Sequence, residues 1–250
     1  MFFSVSYKKN RIVRVAVTYS PNGIAGGTGF FINKKGDLLT CFHVVFGQEL
    51  RTIRQNNVLS GINGVDEHEK LKNFIKQKLA KIEIELFNNS KIEVELKNFN
   101  EKYDIALLSV KNPSNYRFFK LNLKKNIDYG DNVLFGGFPN AIGYANNKTP
   151  FALTRGTVST FVDTQIGGEK YPHIQINGVN LPGNSGGPLL LGNSDRVVGI
   201  INGNWTTGVN GQFMGVNGKP AQLSFQIPLG ITYATSLNVI KSKTNVLDFI

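Results

Sequence analysis

The chain has 250 residues, 41% hydrophobic and 18% charged, with no apolar run near the roughly 18 residues of a membrane span; it reads as one large globular domain or two small lobes, with no membrane partner. Lys and Arg outnumber Asp and Glu 28 to 17, a net charge of +11, yet the basic residues are scattered and no nucleic-acid motif accompanies them, so nucleic acid is not an expected partner. A single cysteine excludes an intramolecular disulfide, and no apolar core of roughly 7–15 residues follows Met1 as in a secretory signal, so a cytoplasmic location is expected.

Residues 11–19 alternate as a strand does, residues 20–27 read as a turn around Pro21, Asn22 and Gly23, and residues 28–33 read as a second strand. Lys34-Lys35-Gly36-Asp37 is the next hairpin turn, and Leu38-Leu39-Thr40-Cys41-Phe42 leads into His43. Cys41 reads as a small buried apolar residue rather than a nucleophile. Residues 47–79 break the β rhythm. Within them residues 66–79 carry acids at the start and lysines at the end, with Leu71, Phe74, Ile75 and Leu79 on one helical face, which predicts a helix in an insertion. His68 has no second histidine or cysteine near it there, so no metal site is expected, and no cofactor. Ile82 to Leu86 and Ile92 to Leu96 alternate strictly around a turn at Asn88-Asn89-Ser90, a hairpin. Asp104 then opens the apolar strand Ile105-Ala106-Leu107-Leu108-Ser109-Val110.

Residues 112–128 are a polar connection that divides the chain into an N-terminal lobe, 1–112, and a C-terminal lobe, 128–250. The second lobe starts with the strand 132–138, continues through strands at 152–161 and 174–176, and reaches Leu181-Pro182-Gly183-Asn184-Ser185-Gly186-Gly187-Pro188-Leu189. Strands at 197–201 and 224–229 follow, and residues 234–241 read as a terminal helix.

The serine block is dense in turn formers with one hydroxyl at its centre. Such a loop can expose the Ser185 hydroxyl on a sharp bend and turn the amides of Gly183 and Ser185 toward one point, an oxyanion hole. A serine needs a base, and the base needs an orienting carboxylate. His43 and Asp104, each beside a strand-like run, fill those roles, so the chain order is His43, Asp104, Ser185.

This order and its flanks resemble the chymotrypsin-like serine peptidases, within them the HtrA/Deg-type branch. The matching pieces are Gly27-Thr28-Gly29-Phe30-Phe31-Ile32, Leu39 to Val45 around His43, Tyr103-Asp104-Ile105-Ala106-Leu107-Leu108, Thr154-Arg155-Gly156-Thr157-Val158-Ser159, the serine block, and Ser224-Phe225-Gln226-Ile227-Pro228, together covering most of residues 12–230. The resemblance implies an all-β fold, a two-lobed chymotrypsin-like double β-barrel, here with a helical insertion at about 47–79 and a short C-terminal helix. It implies a serine endopeptidase acting on protein or peptide substrates through His43, Asp104 and Ser185. Val179 stands where this fold often sets the base of the primary pocket, and no carboxylate is there, so cleavage after apolar or small residues is expected; Asn180, Ile201 and Asn202 are the other expected substrate-binding residues. Asn202 is also a candidate to hydrogen-bond the Asp104 carboxylate.

Asn184, not an aspartate, precedes the nucleophile, and no Ile-Val-Gly-Gly-like start is present, so activation by an inserted amino terminus is not expected. The chain ends at Ile250, soon after the last expected strand, and the PDZ module common in the HtrA/Deg branch is expected to be missing. Two other readings stand beside the enzyme. One is a catalytically idle trypsin-like fold used as a binding module. The other is a latent peptidase in a larger defence or processing assembly, activated by a regulatory protein docked at 47–79.

Overall fold

A computed structural model describes residues 8–19, 23–47, 73, 79–124, 127–139, 150–166, 169–214 and 219–248. Six strands form the first lobe: β1 (Ile12–Tyr19), β2 (Gly23–Phe31), β3 (Asp37–Thr40), β4 (Leu79–Glu85), β5 (Lys91–Asn100) and β6 (Ile105–Val110). They close into a barrel in the order β1-β2-β3-β6-β5-β4, antiparallel at every junction described. Alternation drives this closure: Val13, Val15, Val17 and Tyr19 of β1, and Ile82 and Ile84 of β4, send every second side chain into the interior. All six residues of β6 are buried, because one face fills the barrel and the other is covered as well.

The link between lobes contributes a short strand, β7 (Lys120–Leu121), which pairs in parallel with Arg196 and Val197. The second lobe contains β8 (Asn132–Gly137), β9 (Ala152–Ile166), β10 (Glu169–Asn177), β11 (Pro188–Leu191), β12 (Arg196–Met214) and β13 (Pro220–Ser236). Their order β11-β8-β9-β10-β13-β12 closes through β11–β12 pairing into a second six-stranded barrel, with β7 appended to β12. The fold is therefore an all-β double barrel. Phe135, Ile174, Ile176, Leu189 and Ile201 fill the second barrel, whereas Leu134, Phe138, Leu190 and Ile200 join the core of the first, so the lobes share one apolar contact.

Three sequence expectations change. β2 begins at Gly23, not at residue 28, because Gly26 and Gly27 are strand residues rather than turn residues. A Cβ on Gly26 would stand 2.7 Å from the Val15 carbonyl oxygen, and one on Gly27 would stand 2.8 Å from that of Ser185. The terminal helix spans Leu237–Lys243 rather than 234–241. Ala234 is still in β13, buried between Ile174 and Ile201, and the Ser236 hydroxyl caps the helix by accepting from the Asn238 amide. Finally, β12 and β13 run far past the expected 197–201 and 224–229. The expected helix over 66–79 falls, but for Asn73 and Leu79, outside the described residues; Leu79 opens β4.

Candidate active site

His43 lies on a helical turn, residues 42–47, directly after β3. Phe42, Val44, Val45 and Phe46 of this turn are buried while His43 is exposed, so packing of its neighbours turns the imidazole outward. Phe42, Phe46 and Phe99 stack with ring centroids 4.5–5.6 Å apart, and the Tyr19 hydroxyl donates to the Val45 carbonyl, which holds the turn on the barrel.

Asp104 ends the turn between β5 and β6 at φ +51°, a left-handed conformation that aspartate tolerates better than most residues. Its Oδ1 accepts the His43 backbone N–H at 2.9 Å, and its Oδ2 lies 2.8 Å from His43 Nδ1. Asn202 Nδ2 donates to the same Oδ2 at 2.9 Å. Burial alone would raise the Asp104 carboxyl, but the hydrogen bonds and charge of His43, then Asn202, outweigh it and hold the group below the ordinary carboxylate range. An ionised carboxylate only accepts, so the Nδ1 proton resides on the imidazole, and in the neutral ring Nε2 is then the nitrogen with the lone pair.

Asn202 occupies a β-bulge. Ile201 pairs with Ala234 and Gly203 with Tyr233, so Asn202 is an extra residue on β12. The Thr235 hydroxyl donates to Asn202 Oδ1 at 2.8 Å, which fixes the amide with its nitrogen toward Asp104. Behind this pair lies Cys41, fully buried, its thiol donating to the Ile201 carbonyl at 3.2 Å. Burial, and then the Asp104 charge, push that thiol well above its ordinary value, so it stays protonated. Donor atoms of Cys41, His43 and Asp104 lie within 4.8 Å of one another, but a protonated buried thiol and an engaged Nδ1 make a poor metal set.

Ser185 sits in the loop before β11. Gly183 and Gly186 have φ of +100° and +85°, which a side chain would strain; a Cβ on Gly186 would also meet the Thr28 carbonyl oxygen at 2.1 Å. The amides of Asn184, Gly186 and Gly187 donate to Leu181, Ile201 and Asn184, whereas those of Gly183 and Ser185 donate to no acceptor among the described residues. Two undonated amides flanking a serine are what an oxyanion hole requires. The Ser185 hydroxyl donates to the Asn202 carbonyl at 3.1 Å.

Thr28, on β2 of the first barrel, holds this loop. Its amide donates to the Ser185 carbonyl at 2.8 Å, and its hydroxyl donates to the Gly183 carbonyl at 2.7 Å while accepting the Phe138 amide at 3.0 Å. Sequence reading gave Thr28 no role, although a hydroxyl between two glycines on a strand was its visible signal.

A family description, the trypsin-like peptidase domain, matches residues 27–200, which contain His43, Asp104, Ser185 and Thr28 but stop just short of Asn202. The chain belongs to the trypsin-like peptidases. It is 31% identical over 207 residues to a probable periplasmic serine endoprotease DegP-like of Pseudomonas fulva, a match covering 82% of this chain and 33% of that protein. It is 27% identical over 199 residues to the serine protease HTRA1A of Danio rerio, covering 75% of this chain and 32% of that one. The chain thus spans about a third of the length of these HtrA-type relatives. Among solved structures, the active form of the Rv3671c protease from M. tuberculosis superposes with a TM-score of 0.60 at 15% identity, covering 96% of this chain and 81% of that one, a likeness of fold.

In this trypsin-like frame the expected pocket residues divide. Val179 is 53% exposed, on the loop that precedes Ser185. Asn180 is buried, and its carbonyl accepts from Asn204 Nδ2 at 3.2 Å. The Ile201 side chain is fully buried in the second barrel, and its carbonyl accepts from Cys41 and Gly186. The Asn202 side chain bonds Asp104, the partner also expected for it, and its carbonyl accepts from Ser185. Asn204, which sequence reading missed, spans from β12 to the Ser185 loop.

Proposed function

We propose that this chain is a serine endopeptidase that cleaves peptide bonds through an acyl-enzyme. His43 Nε2 takes the proton of Ser185 as its oxygen attacks the carbonyl carbon, and later delivers that proton to the leaving amine. Asp104 holds the imidazole in the tautomer with Nδ1–H inward and stabilises the imidazolium. The Gly183 and Ser185 amides receive the oxyanion. The observation that carries the reading is the Asp104 carboxylate, gripped by His43 twice and by Asn202 once, an arrangement a binding surface has no use for.

Preference for small or modest apolar residues on the acyl side of the cut is supported by the bridge from Asn204 to the Asn180 carbonyl. That bridge crosses the space between β12 and the Ser185 loop, where the first acyl-side chain would enter. Deep entry of a large aromatic or a long cation is therefore disfavoured.

A fluorophosphonate probe tests the assignment without any guess about sequence preference. Labelling of the wild type, lost in Ser185→Ala and His43→Ala, is the expected result, with peptide turnover down by roughly 10⁴–10⁶-fold in Ser185→Ala. A Ser185→Ala variant that keeps most of its turnover overturns the reading.

A further inference from the structure

A cavity of about 400 Å³ is lined by residues of both lobes, and none of its described lining residues belongs to the triad or to the Ser185 loop. Phe87, in the turn after β4, Phe138, just past β8, and Phe151, just before β9, supply its apolar surface. Phe138 and Phe151 meet edge-on, with ring centroids 5.7 Å apart. Phe87 is 43% exposed, so one wall of the cavity is an open aromatic ring. The volume lies within the range of about 300–1,000 Å³ found for small-molecule sites, which are mostly apolar with a few polar groups to orient the ligand.

The charged groups that line it are cationic in balance. Lys9, just ahead of β1, sets its ammonium 3.9 Å from the centre of the Phe87 ring and pairs with no carboxylate among the described residues. Arg14 of β1 shares the Glu85 carboxylate at 3.4 Å, a pair that stays partly exposed. Asn89, exposed in a left-handed conformation at φ +65°, adds a neutral amide. Two cations thus face one carboxylate, and one positive charge is left over. A cationic ligand is repelled here. A free phosphate brings more charge than is left to neutralise and nothing to cover the rings. An aromatic ring bearing a single carboxylate satisfies both the rings and the charge.

We infer that this cavity is a binding site for an aromatic carboxylate, separate from the peptidase cleft. The ligand ring lies among Phe87, Phe138 and Phe151, where offset and edge-on ring contacts are favourable. The carboxylate meets the Lys9 ammonium, which has donors to give beyond its contact with Phe87 and gains a charge-assisted hydrogen bond. Arg14 is already engaged by Glu85, so Lys9 carries the charge recognition. The inference stands apart from the peptidase reading and does not need it.

Calorimetric titration of the full chain with 4-phenylbutyrate tests this. Saturable binding with a Kd of about 1 mM or tighter is expected, with the matching amide about tenfold weaker and with no saturable binding of acetate or inorganic phosphate. Two variants should move the affinity in opposite directions. Lys9→Met keeps an apolar stem against Phe87 and loses the charge, so the acid should bind about tenfold more weakly while the amide is unaffected. Glu85→Gln removes the competing anion and frees Arg14, so the acid should bind several-fold more tightly, a gain that damage to the fold does not produce. Acetyl-Ala-Ala-Phe distinguishes the source: binding tighter than that of 4-phenylbutyrate assigns the site to a chain end, weaker binding to a free acid, and in either case the free carboxylate must bind better than its amide. A fluorophosphonate adduct on Ser185 should leave the affinity unchanged. Loss of binding in the adduct places the acid in the catalytic cleft and overturns the inference. So do equal affinities for acid and amide, a Lys9→Met variant that binds the acid as the wild type does, or no saturable binding at all. If the wild type takes no label, the peptidase reading alone is removed, and the two charge variants decide the site.

Discussion

The Thr28 amide donates to the Ser185 carbonyl at 2.8 Å, so the first barrel grips the nucleophile loop of the second. The Thr28 hydroxyl adds a bond to Gly183, one of the two undonated amides' residues. Replacing it with the isosteric valine, Thr28→Val, strips the Phe138 amide of its acceptor and the Gly183 carbonyl of its donor inside a buried site. The expected loss is about 1–3 kcal/mol of stability. The rate of fluorophosphonate labelling should fall about tenfold or more as the loop loosens. Labelling at the wild-type rate would mean that the backbone bond alone positions the loop.

Asn202 supplies the third hydrogen bond to the Asp104 carboxylate. Its removal in Asn202→Ala deletes a donor to the charged form, so the carboxyl rises toward its ordinary range. Since only ionised Asp104 orients His43, activity should fall most on the acid side, and the acid limb of the pH–rate profile should move to higher pH. Asn202→Ser, which can still donate, should recover part of the shift. A uniform loss at all pH values would point to damage of the bulge rather than to the carboxylate.

The Asn204 amide donates to the Asn180 carbonyl at 3.2 Å, which ties β12 to the chain just before the Ser185 loop. Asn204→Gly removes the bridge and should cost about 1–2 kcal/mol of stability, since it takes a donor from the carbonyl of buried Asn180 and puts a glycine in a strand. In a panel of peptides varied at the first acyl-side position, the ratio of kcat/KM for Phe against Ala should rise by about tenfold or more. No change in that ratio would place the selectivity elsewhere in the cleft.

Lys8 and Arg11 are buried, and both pair with Asp195 on the turn between β11 and β12; Lys8 also donates to the Asn193 and Ser194 carbonyls. Burial would raise the Asp195 carboxyl, but Lys8 and Arg11 outweigh it and hold it low. A carboxyl depressed on folding stabilises the fold above its unfolded value of about 3.9, and this contribution fades as pH falls through the lower folded value. Asp195→Asn should cost about 3 kcal/mol at pH 7, the low end for a broken buried pair because the carboxylate is one-third exposed. Urea unfolding should show the gap between wild type and variant narrowing below about pH 4. A gap that stays constant with pH would show that packing, not charge, sets the cost.

Strand alternation along β1, β4 and β5 and the glycine-rich bend around Ser185 were legible in the sequence by itself, since they are local properties of neighbouring residues; the double barrel and the grouping of His43, Asp104 and Ser185 came from the resemblance of the ordered motifs to the chymotrypsin-like peptidases. Tertiary structure alone decided what surrounds them. Gly26 and Gly27 read as turn residues because glycine serves turns and close approaches alike, and only the Ser185 carbonyl lying against β2 tells the two apart. Thr28 and Asn204 drew their roles from partners far away in the chain, reached through barrel packing, and the bond expected of Asn202 to Asp104 is made through a bulge on β12 that the sequence does not show. The length of β12 and β13 went unread because their residues alternate around scattered glycines, and only pairing across the hairpin, out to Met214 opposite Pro220, shows how far the two strands run.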